Sequence, residues 1–302
     1  INVNTTHFHF SFYSSRKSPY LCVVRKSRNN IQNQKLEKKM SVERKNKQHF
    51  VLVHGPCHGG WYWYKVKPLL EAAGHRVTAI DLAASGINTN PSSITEVFSC
   101  DQYTEPLLKF LSSLPCEEKV VLVSQSTGGL SVAIAMDTFP QKISVAIFAT
   151  SFLPDTKNSP AYVVDKFFQS APPEAWLGTE FVPYGKDGVS MSFSPEFVKQ
   201  ALYTSSTRED VELTLLLKRP GSLFINELAR REKFSEERYG SVPRAYIVCK
   251  DDKALTEEYQ RWMIDNYSVD FVTEIEGADH IPMISQPQLL SERILEIGEK
   301  FA

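Results

Sequence analysis

The sequence predicts an α/β protein with a mostly parallel central sheet, helices on both faces and an inserted helical cap. Three observations lead there. From residue 49 onward, short apolar β-branched runs alternate with stretches of helical periodicity, the pattern of βαβ units. The run 119–123 becomes wholly apolar after its first residue, as strands buried on both faces do. The alternation stops between 154 and 221, where prolines and aromatics crowd without a clear period, and then resumes.

Each element follows in order. Residues 49–54 read as a buried strand entering a Gly-rich aromatic loop, 55–64. A helix spans 66–74, with Leu69, Leu70 and Ala73 on one side and Gly74 as its stop. A strand covers 76–80. Tyr103, Leu107, Leu111 and Leu114 recur at i, i+4, i+8 and i+11, an amphipathic helix. After the strand 119–123 come a helix over 127–139 and a strand over 143–149. Past the cap come a strand (244–248), a helix (257–264), a strand (269–274) and a closing helix through Leu290, Ile294 and Ile297. This organisation gives a core of 48–153 with 222–302, a cap of 154–221 and an extension of 1–47.

Composition narrows the function. The chain has 302 residues, enough for one large domain, and its 42% hydrophobic and 23% charged residues suit a globular protein. A formal net charge of −1 creates no global field to recruit nucleic acid or an anionic membrane. No apolar run approaches the roughly 20 residues of a membrane-spanning helix. The 5 cysteines (Cys22, Cys57, Cys100, Cys116 and Cys249) form no CxxC pair and are odd in number, which points to reduced thiols and a cytoplasmic location. There is no HExxH motif, and His54 and His58 flank a Gly-Pro loop rather than share a helix face, so no metal site is expected.

The first forty residues differ from the rest. They hold 8 of the 34 basic residues and 1 of the 35 acidic ones, leaving a body with 26 basic against 34 acidic groups. Such a basic, Ser-rich, acid-poor stretch fits a plastid transit peptide. It equally fits upstream sequence translated in frame, with Met40 as the start. The second reading is preferred, because Met40 directly precedes a short polar leader and the first strand.

The chemistry centres on Val121-Leu122-Val123-Ser124-Gln125-Ser126-Thr127-Gly128-Gly129. A strand ends, a serine sits among small residues and a helix begins, the context in which a strained turn raises a serine hydroxyl above a sheet. Close backbone packing requires small neighbours two positions away on either side. Gly128 meets the requirement, and Ser124 stands where a glycine is usual. Two further strand ends supply partners in the order serine, acid, histidine. The strand 244–248 runs into Asp251 and Asp252, and the strand 269–274 is followed by Asp279 and His280. His280 would relay the Ser126 proton, and Asp252 would orient the imidazole. Asp251 is a rival for that role. A lone loop carboxylate is ordinarily just solvated.

These residues resemble the plant methylesterase and hydroxynitrile lyase group of α/β-hydrolases. The likeness runs from residue 49 to the C-terminus. It rests on His49-Phe50-Val51-Leu52-Val53-His54-Gly55, Cys57-His58-Gly59-Gly60-Trp61, Asp81-Leu82-Ala83-Ala84-Ser85-Gly86, Arg219-Pro220-Gly221-Ser222-Leu223-Phe224 and Gly277-Ala278-Asp279-His280. The resemblance implies a capped α/β-hydrolase without cofactor, usually dimeric, cleaving small esters of hormone or alkaloid type. It assigns the triad to Ser126, Asp252 and His280, and a pocket tryptophan to Trp176. Lyases of the group resemble a pattern with Thr and Lys where this chain has Gly55 and Ile281, which favours the esterase branch. Gln125 stands where esterases usually have His. Gly55, Gln125, Thr150, Trp176 and Ile281 are accordingly expected around the substrate.

One departure bears on catalysis. The group's oxyanion hole uses two backbone N–H groups, here those of Thr127 and Pro56, and proline has none. The Cys57 N–H is a possible replacement. The expectation is a serine carboxylesterase for methyl esters, with an impaired ligand-binding protein as the alternative and cyanohydrin cleavage a more distant one. Trp61, Trp63, Phe152, Trp176 and Phe193 suggest an apolar acyl group, though core packing explains each equally well.

Overall fold

A computed structural model describes residues 47–302. The expectations for the extension 1–47, a transit peptide or upstream sequence translated in frame, fall on residues that up to 46 lie outside the described residues. The main sheet has 6 strands in the order β2-β1-β3-β4-β8-β9. They are β1 His49–Val53, β2 Arg76–Ile80, β3 Val120–Ser126, β4 Ile143–Ser151, β8 Arg244–Cys249 and β9 Phe271–Ile275, and every pairing is parallel. The interior strands β1, β3 and β8 are buried at every residue, whereas the edge strand β9 alternates between partial burial and exposure. This is why the middle of the sheet reads as continuous apolar sequence.

Helices α1 (Val66–Ala72), α2 (Cys100–Ser113), α3 (Gly128–Thr138), α6 (Glu257–Asn266) and α7 (Pro287–Lys300) accompany these strands. Polar caps set some of their starts: Ser99 Oγ accepts from Gln102 N at α2, and Thr256 Oγ1 from Tyr259 N at α6. Helix α3 is buried from Gly128 through Met136, as expected of a helix without a polar face. Two apolar clusters, one on each face, form the core. Leu122, Phe148 and Tyr246 lie in one, and Leu52, Val123 and Ile247 in the other.

Helices were expected between 154 and 221, and they are present: α4 (Tyr162–Ser170), the short turns Pro195–Phe197 and Val198–Leu202, and α5 (Arg208–Leu217). The same region also contains strands, which the sequence reading missed. β5 (Glu180–Tyr184), β6 (Gly188–Ser192) and β7 (Gly221–Ser222) form an antiparallel sheet. These strands are short, β5 contains Pro183, and β5 is largely exposed, so neither alternation nor a buried run marks them.

Strand order reverses at β1, which lies between β2 and β3. In open parallel sheets a crevice opens at such a reversal, beyond the carboxyl ends of the strands. The loops after β1 and β3 therefore meet there. Their approach leaves no room for side chains: a Cβ on Gly128 would lie 2.7 Å from the His54 carbonyl oxygen, and one on Gly129 would overlap the Phe152 carbonyl oxygen. Gly129→Ala is expected to cost about 3 kcal/mol of stability, because the clash is with backbone rather than a movable side chain. Denaturant unfolding measures it.

Candidate active site

β3 ends at Ser126, whose φ of 54° places it in the left-handed region that residues bearing a Cβ rarely adopt. The strain is held from behind. The Ser126 carbonyl accepts from Phe152 N (2.9 Å) and from Ser151 Oγ (2.7 Å). Ser124, the departure from glycine, fits here: its hydroxyl lies 3.0 Å from Ser151 Oγ and 3.3 Å from the Ile147 carbonyl oxygen. The added Cβ is absorbed inside the sheet, where it serves the same brace.

The three distant residues converge. His280 Nε2 lies 3.1 Å from Ser126 Oγ, and His280 Nδ1 lies 2.6 Å from Asp252 Oδ2. All three are nearly inaccessible, at 7%, 5% and 4% exposure, so their hydrogen bonds are shielded from water. Asp252 is fixed by four donors. Ala254 N and Leu255 N reach Oδ1 at 2.8 Å each, while Thr150 Oγ1 donates to Oδ2 at 2.5 Å beside the imidazole N–H. Its rival Asp251 turns outward, is exposed and accepts from Gly277 N.

Asp279 is no solvated carboxylate. It is fully buried and accepts from Ser205 N, Ser206 Oγ, Ile281 N and Ser285 Oγ, so it clamps the segment before α5 to the His280 loop. Burial pushes its pKa up, against the pull of those donors. A single sequence cannot separate such a residue from its exposed neighbours.

Of the five residues expected around the substrate, only Trp176 lines the cavity at Ser126. Gln125, directly before Ser126, is buried. Its Nε2 donates to the His280 carbonyl (2.6 Å), and its Oε1 accepts from Tyr62 Oη (3.2 Å). Thr150 supports Asp252. Ile281 is buried in the core, and its N–H bonds to Asp279. Gly55 packs against the nucleophile from behind: a Cβ there would come within 2.8 Å of Ser126 Cβ, and its N–H donates to Tyr62 Oη. Gln125 and Thr150 thus bond to the His280 carbonyl and to Asp252, and Gly55 packs against Ser126. The cavity also meets Phe152, Phe193, Pro56 and Thr127, whereas Trp61 and Trp63 lie elsewhere, Trp63 entirely in the core.

Of the two residues expected to supply oxyanion donors, only Thr127 has a backbone N–H. Thr127 is the N-cap of α3, where backbone N–H groups have no helical partner. Pro56 faces the same cavity with no N–H to offer. Cys57, with φ of 61°, packs its nitrogen against Gly221, where an added Cβ would approach within 2.8 Å. His58 anchors this loop: Nδ1–H donates to the Pro56 carbonyl (2.8 Å), leaving Nε2 to accept from Tyr203 Oη (2.9 Å). Burial drives its pKa down to about 3. Among the described residues no group of three or more His, Cys, Asp or Glu could hold a metal ion, and no helix is long and apolar enough to cross a membrane.

A strained serine at a strand end, a buried histidine and carboxylate in line behind it, and a cap above define a serine hydrolase of the α/β-hydrolase class. Comparison with known proteins agrees. The model of the alpha/beta hydrolase family matches residues 50–293. Methylesterase 1 of Arabidopsis thaliana is 64% identical over 261 residues, covering 86% of this chain and 99% of that protein. Salicylic acid-binding protein 2 of Nicotiana tabacum is 48% identical, covering 85% and 99%. The crystal structure of polyneuridine aldehyde esterase superposes with a TM-score of 0.81 at 46% identity, covering 83% of this chain and 99% of that one. The chain belongs to the alpha/beta hydrolase family, among plant members close to methylesterases. These likenesses support a serine hydrolase acting on small-molecule esters.

Two outcomes follow. Asp252→Asn keeps the size of the side chain but presents a donor to the imidazole; turnover is expected to fall about 10⁴-fold with the fold intact, read by kinetics beside circular dichroism. His58 is neutral in the folded state to about pH 3, whereas the unfolded chain protonates it near 6.5. Stability is therefore lost as pH falls below 6.5. His58→Gln should remove about 3 kcal/mol of the loss between pH 6.5 and 4, measured by urea unfolding at each pH.

Proposed function

We propose that this chain hydrolyses methyl esters of small plant carboxylic acids, of hormone or alkaloid type, through an acyl-enzyme on Ser126. The observation that carries the reading is the buried, aligned Ser126–His280–Asp252 chain of hydrogen bonds. Ser126 Oγ attacks the ester carbonyl while His280 Nε2 accepts its proton. The imidazolium is stabilised by Asp252 through Nδ1–H. The carbonyl oxygen becomes an oxyanion beside the Thr127 N–H. Collapse breaks the bond to the methoxy oxygen, which leaves as methanol with the proton from His280. Water, deprotonated by His280, then attacks the acyl carbonyl and releases the acid and Ser126.

Likeness to a methylesterase supports the methyl leaving group, and the apolar wall of Phe152, Trp176 and Phe193 supports an apolar acid. Pro56 favours a second reading, a ligand-binding protein with little turnover. One missing oxyanion donor typically lowers turnover about 10²–10³-fold.

A panel of methyl esters assayed against the wild type and Ser126→Ala tests the proposal. Hydrolysis abolished by the substitution is expected, and rates equal to Ser126→Ala across the panel would refute it. Pro56→Gly restores a backbone donor and is expected to raise kcat more than tenfold. Turnover appearing only in that variant would establish the second reading.

A further inference from the structure

The cavity that touches Ser126 measures about 40 Å³. That is space for a few waters, and a long acyl group must reach beyond it. Two larger cavities lie against it. One of about 530 Å³ shares Phe168, Trp176, Met191 and Leu223 with the catalytic cavity. The other, about 280 Å³, shares Phe167, Trp176, Phe197 and Ala254 with it. Trp176 thus borders all three.

The two neighbours differ in chemistry. Ser170, Lys253, Thr256 and Tyr259 line the smaller one, so it offers an apolar chain less apolar wall. The larger is a groove open to solvent, walled by Phe181 and Val189, each 38% exposed, and by Phe224 and Ile225, with Asp187 and Asn226 as its polar residues. The partition between it and the catalytic cavity can yield. Met191 is unbranched and adapts to many shapes. Trp176 closes a single 3-10 turn, Pro173–Trp176, and the chain then passes through two left-handed residues, Leu177 and Gly178, at φ of 47° and 79°. Its indole stacks between Phe168 (4.5 Å) and Phe197 (5.6 Å), so a small rotation keeps aromatic contacts.

We propose that the 530 Å³ cavity is an acyl compartment of this active site, taking the elongated apolar chain of a carboxylic ester while its carbonyl stays at Ser126. The proposal rests on the esterase reading and names a substrate class within it. Displacing Met191 and Trp176 joins the two cavities, and each methylene placed beyond the partition leaves water for apolar walls.

Methyl esters of straight-chain acids from butanoate to dodecanoate provide the test. Each methylene buried should improve kcat/KM about fourfold until the compartment is full, so the decanoate-to-butanoate ratio should exceed about a hundred. Ile225→Trp and Val189→Trp, on separate elements, fill the larger cavity and should each cut that ratio at least tenfold. Ala175→Trp, which fills the smaller cavity, should keep it. A wild-type ratio near one, a ratio untouched by both cavity-filling variants, or one lost in Ala175→Trp alone would overturn the proposal. Calorimetric binding of decanol against butanol to Ser126→Ala reads the same preference without chemistry. If no ester is cleaved, the esterase reading fails, and the presence or absence of tighter decanol binding, sensitive to Ile225→Trp, alone decides the compartment.

Discussion

The left-handed backbone of Ser126 is the constraint on which the rest of the site depends. An L-residue held at φ of 54° is strained, and surrounding structure must fix it there. Here a fully buried central strand delivers the chain to the turn, and Ser151 and Phe152 hold its carbonyl. The glycines of α3 let the helix start directly against β1 and β4. The hydroxyl is thereby lifted out of the sheet toward His280. Relaxing the turn would return the side chain to the alternation of a strand, away from the imidazole.

Behind the reacting face lies a second layer of polar residues that never meets the cavity. Gln125 and Tyr62 tie the loop after β1 to the loop carrying His280. Asp279 ties that loop to the segment before α5. Thr150 crosses from β4 to Asp252. Each is buried, and burying a polar group is unfavourable unless its hydrogen bonds are replaced, as they are here. The loops are held rigid by bonds that would be lost together if any one moved. Pro56 fits the same economy of motion, with its carbonyl fixed by His58 while its nitrogen contributes nothing to the oxyanion.

Much of this was legible in the sequence. Order along the chain, from Ser126 to Asp252 to His280, is a property of sequence; Ser126 and Asp252 follow apolar runs of buried strands, and His280 follows the edge strand β9. Asp252 and Asp251 could not be separated, because adjacent loop residues point in opposite directions for reasons set by backbone conformation. The contacts of Gln125 with Tyr62 and the His280 carbonyl join segments far apart in the chain, which adjacency to Ser126 does not reveal. The cap strands were invisible, since exposed strands two to five residues long carry neither a buried run nor a stable period. The cavities behind Trp176 depend on contacts between elements far apart in the chain.

Reaction with a fluorophosphonate, followed by mass spectrometry of the whole chain and its peptides, tests the central claim most directly. It reads the nucleophile without needing the natural substrate. An activated hydroxyl held by His280 and Asp252 predicts one adduct per chain, located on Ser126 and absent from Ser126→Ala. A native, folded protein that stays unlabelled, or that carries the adduct on another residue, would contradict the account.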